Sequence, residues 1–158
     1  MEQEVRISMK EGQGIMIGVD VAVFDSAGRV LLGKRLSKVG YGQWGFPGGH
    51  LKQNEKLLDA ADREIDEELG CGIEIEVSKK VLVAREDRLE PYRLHHITII
   101  LEGKHIGGEA MVNEPLRCEK WEWFDYDNLP ESLFAGIKEA LDNQRNNEST
   151  VITGLNSF

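Results

Sequence analysis

The sequence predicts a mixed α/β sandwich of the α+β class, and three observations predict it. Residues 15–24 and 94–102 are rich in β-branched side chains and read as strands. Between them, residues 55–69 repeat apolar positions at spacings of three and four, the signature of an amphipathic helix. A second helical pattern, over 131–143, follows the last strand pattern. Strands on both sides of one helix, followed by another helix, bury their apolar faces best as a sheet with helices packed on it. A chain of 158 residues suits one domain, residues 1–158, with the core expected at 15–143 and a polar tail over 144–158.

Taken in order, the 15–24 run is interrupted only by Gly18 and Asp20. Asp25-Ser26-Ala27-Gly28 is a turn cluster, and 29–35 reads as the returning strand of a hairpin. Residues 36–43 hold Gly40 and Gly42 and read as a loop; 44–47 is a short extended piece, because the residue before proline avoids the helix. Gly48-Gly49 breaks the chain. Leu58, Ala61, Ile65 and Leu69 then form one helical stripe, with Asn54 as the expected N-cap and Gly70 just past the end. Residues 73–77 and 80–85 return to strand. The charged stretch 86–93, with Pro91, is expected as a loop, and so is glycine-rich 103–117. Residues 118–124 alternate Trp121 and Trp123 with charges, a half-buried strand, with both tryptophans expected in packing. From Asn143 the chain is polar and expected to fray, with Val151, Ile152, Leu155 and Phe158 able to dock.

Composition excludes several classes. The formal net charge of −9 argues against a surface that grips long nucleic acid, which needs clustered Lys and Arg. Two cysteines, Cys71 and Cys118, do not make a disulfide scaffold and are expected as reduced, mostly buried thiols. His95 and His96 are neighbours on a strand and point to opposite faces, so they do not share a zinc ion. The start, Met-Glu-Gln-Glu-Val-Arg, has no basic stretch followed by an apolar one, and no run reaches the ~20 apolar residues of a membrane span. A cytoplasmic protein without a membrane partner is the expectation.

The charge is concentrated. Seven acids (Glu55, Asp59, Asp62, Glu64, Asp66, Glu67, Glu68) against two bases (Lys56, Arg63) leave −5 on the predicted helix. Glu67 and Glu68 lie three and four positions beyond Glu64, so these carboxylates form one patch beside the apolar stripe. Like charges so placed repel, and a cation on the patch relieves them. Mg²⁺ prefers carboxylate oxygens and is often shared with substrate phosphates.

Gly49, five residues, Glu55, seven residues, then Arg63-Glu64-Ile65-Asp66-Glu67-Glu68-Leu69-Gly70 resembles the signature of the Nudix hydrolase superfamily. Cys71, in place of the usual aliphatic residue, is a small departure. Leu31-Leu32-Gly33-Lys34-Arg35, Trp44-Gly45-Phe46-Pro47-Gly48-Gly49-His50-Leu51 and His96-Ile97-Thr98-Ile99 resemble its MutT-like nucleotide-pool branch, as do Glu114-Pro115 and Trp121-Glu122-Trp123. The resemblance implies an α/β/α sandwich with a mixed sheet and a catalytic helix. It implies Mg²⁺-dependent attack of water on the diphosphate of a small nucleotide, with Mn²⁺ as a possible substitute ion and a homodimer as a possible assembly. A nucleoside triphosphate would give a monophosphate and pyrophosphate.

Carried onto this chain, the resemblance makes Glu64, Glu67, Glu68 and the backbone at Gly49 the metal-holding set. Glycine there lets the main chain approach closely. Glu114 and Glu119 are candidates for an extra carboxylate from a late loop. Arg63 is expected to orient Glu67 and Glu55, as outer partners orient metal ligands. Arg35, Lys34, His50, Phe46 and His96 are candidate substrate contacts, Arg35 the better match of the two cations; Trp44 can help shelter the base. Lys52 and Asn54 replace an acid and a glycine common in the branch. The proline that marks many ADP-ribose enzymes is not evident, since residue 86 is Glu and the nearest proline is Pro91. Hydrolysis of a nucleotide sugar is the alternative. A ligand-sensing domain without catalysis, or action at an RNA 5′ end, is less favoured: no carboxylate of the signature is lost, and the chain lacks a basic run.

Overall fold

The computed structural model describes residues 14–89, 94–148 and 152–153. Its strands are β1 (Met16–Phe24), β2 (Val30–Arg35), β3 (Trp44–Gly45), β4 (Gly48–His50), β5 (Ile73–Leu89), β6 (Leu94–Gly108), β7 (Cys118–Phe124) and β8 (Ile152–Thr153). The helices are α1 (Leu57–Leu69) and α2 (Ile137–Asn146), with a 3₁₀ turn at Tyr126–Asn128. Among the described residues the strands form one mixed sheet in the order β3-β2-β1-β6-β5-β8, with β4 added to β1 and β7 to β2.

Period-two alternation builds two cores. Val19, Val21 and Val23 of β1 point to one face, where Leu101 and the α1 residues Ala60, Ala61, Ile65 and Leu69 cover them. Ala22 and Phe24 point to the other, against Leu82, Ile100 and the α2 residues Ile137, Ala140 and Leu141. Each fully buried Leu or Val contributes ~1.5–3 kcal/mol. The result is the α+β, three-layer sandwich that the sequence predicts, with the sheet between the two helices.

Several boundaries differ from expectation, each for a physical reason. β1 and β2 meet only at their turn, Phe24 opposite Val30, because β1 is occupied by β6 in parallel and by β4. Gly48–His50, expected as a break, is that β4 strand. Asn54 is not the N-cap; it takes φ 65°, and α1 starts after Lys56. Residues 86–89 are strand, because the β5–β6 pair continues through Asp87 opposite His96; Pro91 lies outside the described residues. Residues 103–108 also belong to β6. Gly103 marks a close approach, since a Cβ there would lie 2.6 Å from Val21 Cγ1.

The second helix starts late. Trp44 N–H donates to Ser132 O (2.9 Å) and Phe134 N–H to Trp44 O (2.8 Å), so this stretch pairs with β3 instead of coiling. At the other end α2 runs through Asn143, whose Nδ2 donates to Leu82 O at 2.7 Å, so the chain does not fray there. The Ile152 backbone pairs in β8 opposite Ala84; Val151, Leu155 and Phe158 lie outside the described residues. Both cysteines are free, and Cys71 is exposed where burial was expected. No helix among the described residues is long and apolar enough to cross a membrane.

Candidate active site

The site lies where the two glycines of β4 separate the helix layers. β4 runs antiparallel to β1, Gly48 opposite Asp20 and Gly49 opposite Val19. Alternation turns Gly49 toward α1 and Gly48 toward the opposite face. A Cβ on Gly49 would lie 2.3–2.4 Å from the Glu64 carboxylate, and one on Gly48 would lie 2.1 Å from Asp20 Oδ1. Both glycines are there because two carboxylates press on the strand from its two sides.

Arg63 organises the α1 side. It donates Nε to Glu55 Oε1 (2.7 Å), Nη2 to Glu55 Oε2 (3.0 Å) and to His50 O (3.0 Å), and Nη1 to Glu64 Oε1 (2.7 Å). Glu67 lies at the edge of its reach, 3.4 Å from Nη1. The Arg63 guanidinium, with the Lys52 N–H, holds the Glu55 carboxyl down at about 2. Glu64 is 5% exposed, and its Oε2 is buried without a partner. Glu68 accepts the Gly48 N–H at 3.3 Å. Burial first, then the charges of Asp20, Glu64 and Glu114, push its carboxyl up to about 8.

A cleft of about 370 Å³ opens on the α2 side of the sheet, within the range of small-molecule sites. Asp20, Glu68 and Glu114 supply carboxylates to its wall, and Arg35 and Arg117 supply cations. Burial raises Asp20 to about 7; Arg35 pulls against this and Glu64 adds to it. Arg35 is clamped: Nε and Nη2 donate to Val39 O (3.2 and 3.0 Å), and its guanidinium lies 4.0 Å from the centre of the Phe134 ring. Phe46 lines the cleft from the core. His96, opposite Met16, faces the cleft with Nε2 buried and unpartnered; its ring lies 5.4 Å from that of His50. Burial lowers the proton affinity of both imidazoles.

The structure therefore gathers Glu55, Arg63, Glu64, Glu67, Glu68 and Gly49 around one edge of α1. It brings Arg35, His50, Phe46, His96 and Glu114 to the adjoining cleft. Lys34 and Glu119 stand apart, paired with each other at 3.4 Å and outside the cleft lining. Sequence reasoning missed Asp20, Arg117 and Phe134. Asp20 did carry a signal, as the one acid in an apolar strand, since a buried carboxylate needs a reason. Arg117 and Phe134 are placed by loops whose course no periodicity shows.

Among the described residues no three His, Cys, Asp or Glu side chains converge on one point as a finished metal cage. The donor chemistry still fits a hard divalent cation. An orphaned carboxylate oxygen of Glu64 lies under Gly49, and Glu68 has three acidic neighbours raising its proton affinity. Carboxylates so crowded need protons or a cation at neutral pH.

The NUDIX domain family matches residues 14–144. An RNA pyrophosphohydrolase of Bartonella clarridgeiae is 29% identical over 149 residues, covering 77% of this chain and 82% of that protein. The m7GpppN-mRNA hydrolase NUDT17 of Danio rerio is 29% identical over 147 residues, covering 84% of this chain and 47% of that protein. The crystal structure of a MutT NUDIX hydrolase from Burkholderia pseudomallei superposes with a TM-score of 0.73 at 31% identity, covering 82% of this chain and 98% of that one.

Proposed function

The chain belongs to the NUDIX domain family of hydrolases, which cleave phosphoanhydrides, and from that premise we propose that its substrate is a nucleoside triphosphate. The triphosphate is a (d)NTP or a modified one, cut at a diphosphate bond to give a nucleoside monophosphate and pyrophosphate. The observation that carries this reading is the cleft itself: carboxylates Asp20, Glu68 and Glu114 and cations Arg35 and Arg117 line one space of about 370 Å³, sized for a single small ligand.

Glu64, Glu67, Glu68 and the backbone at Gly49 would hold Mg²⁺, or Mn²⁺ in its place. The ion supplies neutralisation of phosphate oxygens and a lowered pKa for its water. The chain's own residues do the rest. Arg63 holds Glu55 and Glu64 in one orientation, so the carboxylates need not reorganise at each turnover. Arg35, fixed by Val39 O and Phe134, presents a pre-oriented cation to phosphate oxygens. The proton released by the attacking water passes to one of the carboxylates gathered here.

A second reading, hydrolysis at the 5′ end of an RNA, is favoured by one observation: the Bartonella relative, aligned over 77% of this chain, is named an RNA pyrophosphohydrolase. The net charge of −9 weighs against holding an RNA body. Nucleoside triphosphates, nucleotide sugars and a 5′-triphosphorylated RNA, each incubated with the full chain and Mg²⁺ at several salt concentrations, separate the readings. Preferred release of monophosphate from free nucleotides supports the proposal. A preference for the RNA end, weakening steeply with salt, replaces it with the second reading.

A further inference from the structure

α1 ends in an electrostatically awkward way. Glu67 and Glu68 occupy its last turn, where the helix dipole disfavours anions, and no base stands there to offset them. The last four carbonyls of a helix also lack partners within it. Here Asp66 O is taken by the Gly70 N–H at 3.1 Å. The other three are taken by one distant segment. Met111 N–H donates to Leu69 O (2.9 Å) and Asn113 N–H to Glu68 O (3.3 Å), while Asn113 Nδ2 donates to Glu67 O (2.8 Å).

The residue after this clamp is Glu114. Its own carbonyl accepts the N–H groups of Arg117 (3.0 Å) and Cys118 (3.1 Å), which turns the chain into β7. Its carboxylate enters the cleft with Oε1 buried and unpartnered, and with Arg117 Nη1 3.7 Å from Oε2. Glu114 is thus held from both sides, by the N–H groups that its own carbonyl accepts and by Asn113, whose main chain and side chain grip the helix turn that carries Glu67 and Glu68.

We propose that Asn113 is a positioning residue for the reaction: its amide ties Glu114 to the acidic end of α1, so that the late carboxylate and the helix carboxylates keep a fixed spacing. This rests on the hydrolase reading given under Proposed function. Asn suits the task because one residue supplies two donors, main-chain and side-chain, to successive carbonyls. Asp has the same shape, but its carboxylate cannot donate to Glu67 O.

The test pairs kinetics with amide hydrogen exchange on the full chain. Asn113→Ala and Asn113→Asp are expected to lower kcat by about 10-fold, the scale of losing an outer-shell partner, with KM little changed. In a Glu114→Gln background the same changes are expected to lower kcat no further, since the tether then positions nothing. Exchange in 109–117 should rise in both variants while β1 and β6 stay protected. Full kcat in Asn113→Ala overturns the proposal, as do losses that multiply in the double variant, or unchanged exchange in 109–117. A wild-type chain inert on every phosphoanhydride would instead refute the hydrolase reading, and exchange alone then decides whether the clamp exists.

Discussion

Arg63 grips Glu55 with two parallel hydrogen bonds, Nε to Oε1 at 2.7 Å and Nη2 to Oε2 at 3.0 Å. This fork leaves Nη1 to reach Glu64, so the signature glutamate farthest from the acid patch fixes the arginine that fixes the patch. Arg63→Lys is expected to cost ~10–100-fold in kcat, because an ammonium cannot reproduce the bidentate geometry. The pairing depresses Glu55 from an ordinary 4.5 to about 2. The interaction is therefore complete above the ordinary value and is lost only as pH falls toward 2. Steady-state kinetics across neutral pH should show no titration from this pair.

The β4 glycines are expected to fail differently. Gly49→Ala drives a Cβ into the Glu64 carboxylate, a side chain that can swing away at the expense of its orientation, so activity falls while the fold persists. Gly48→Ala meets backbone as well, Val19 O at 2.5 Å, and β1 cannot retreat. Its penalty should appear as lost stability, ~1–3 kcal/mol for forced overpacking, read by urea unfolding.

Asp20 and Glu68 set a pH dependence of stability. Burial raises them to about 7 and about 8, well above their unfolded values. The folded state then binds more protons than the unfolded one between the ordinary carboxylate range and pH 8, so stability falls as pH rises through that window. In EDTA the melting temperature should drop between pH 6 and pH 9, and Asp20→Asn should flatten the drop. A divalent cation should oppose it, because it favours the ionised carboxylates.

Two late acids offered themselves in the sequence, and the structure separates them. Glu114 lines the cleft, whereas Glu119 pairs with Lys34 on an outer face, 51% exposed. Glu114→Gln is expected to reduce kcat by ~10–100-fold, and Glu119→Gln to leave it near wild type, since an exposed ion pair contributes little.

These contrasts show where the sequence was informative. The α1 stripe and the alternation in β1 are local periodicities, so the two helix layers and the central strand were legible. The glutamate patch was legible because helical geometry alone puts Glu64, Glu67 and Glu68 together. What pairs at long range was not. Glycines in 103–108 read as loop, yet Gly103 is glycine because Val21 crowds it. Residues 131–136 read as helix, yet Ser132 O and the Phe134 N–H serve Trp44. Asp20 was visible only as an interruption, because Gly48, the partner that gives it meaning, lies across the β1–β4 pairing.

The acidic edge of α1 and the cleft beside it are proposed to work as one phosphoanhydride-cleaving site on free nucleotides. Phosphorus NMR of the full chain with a nucleoside triphosphate panel and Mg²⁺ tests it directly. The expected result is nucleoside monophosphate and pyrophosphate in equal amounts, abolished by EDTA and strongly slowed in Glu68→Gln. No monophosphate from any free nucleotide, or undiminished turnover in Glu68→Gln, would contradict the account.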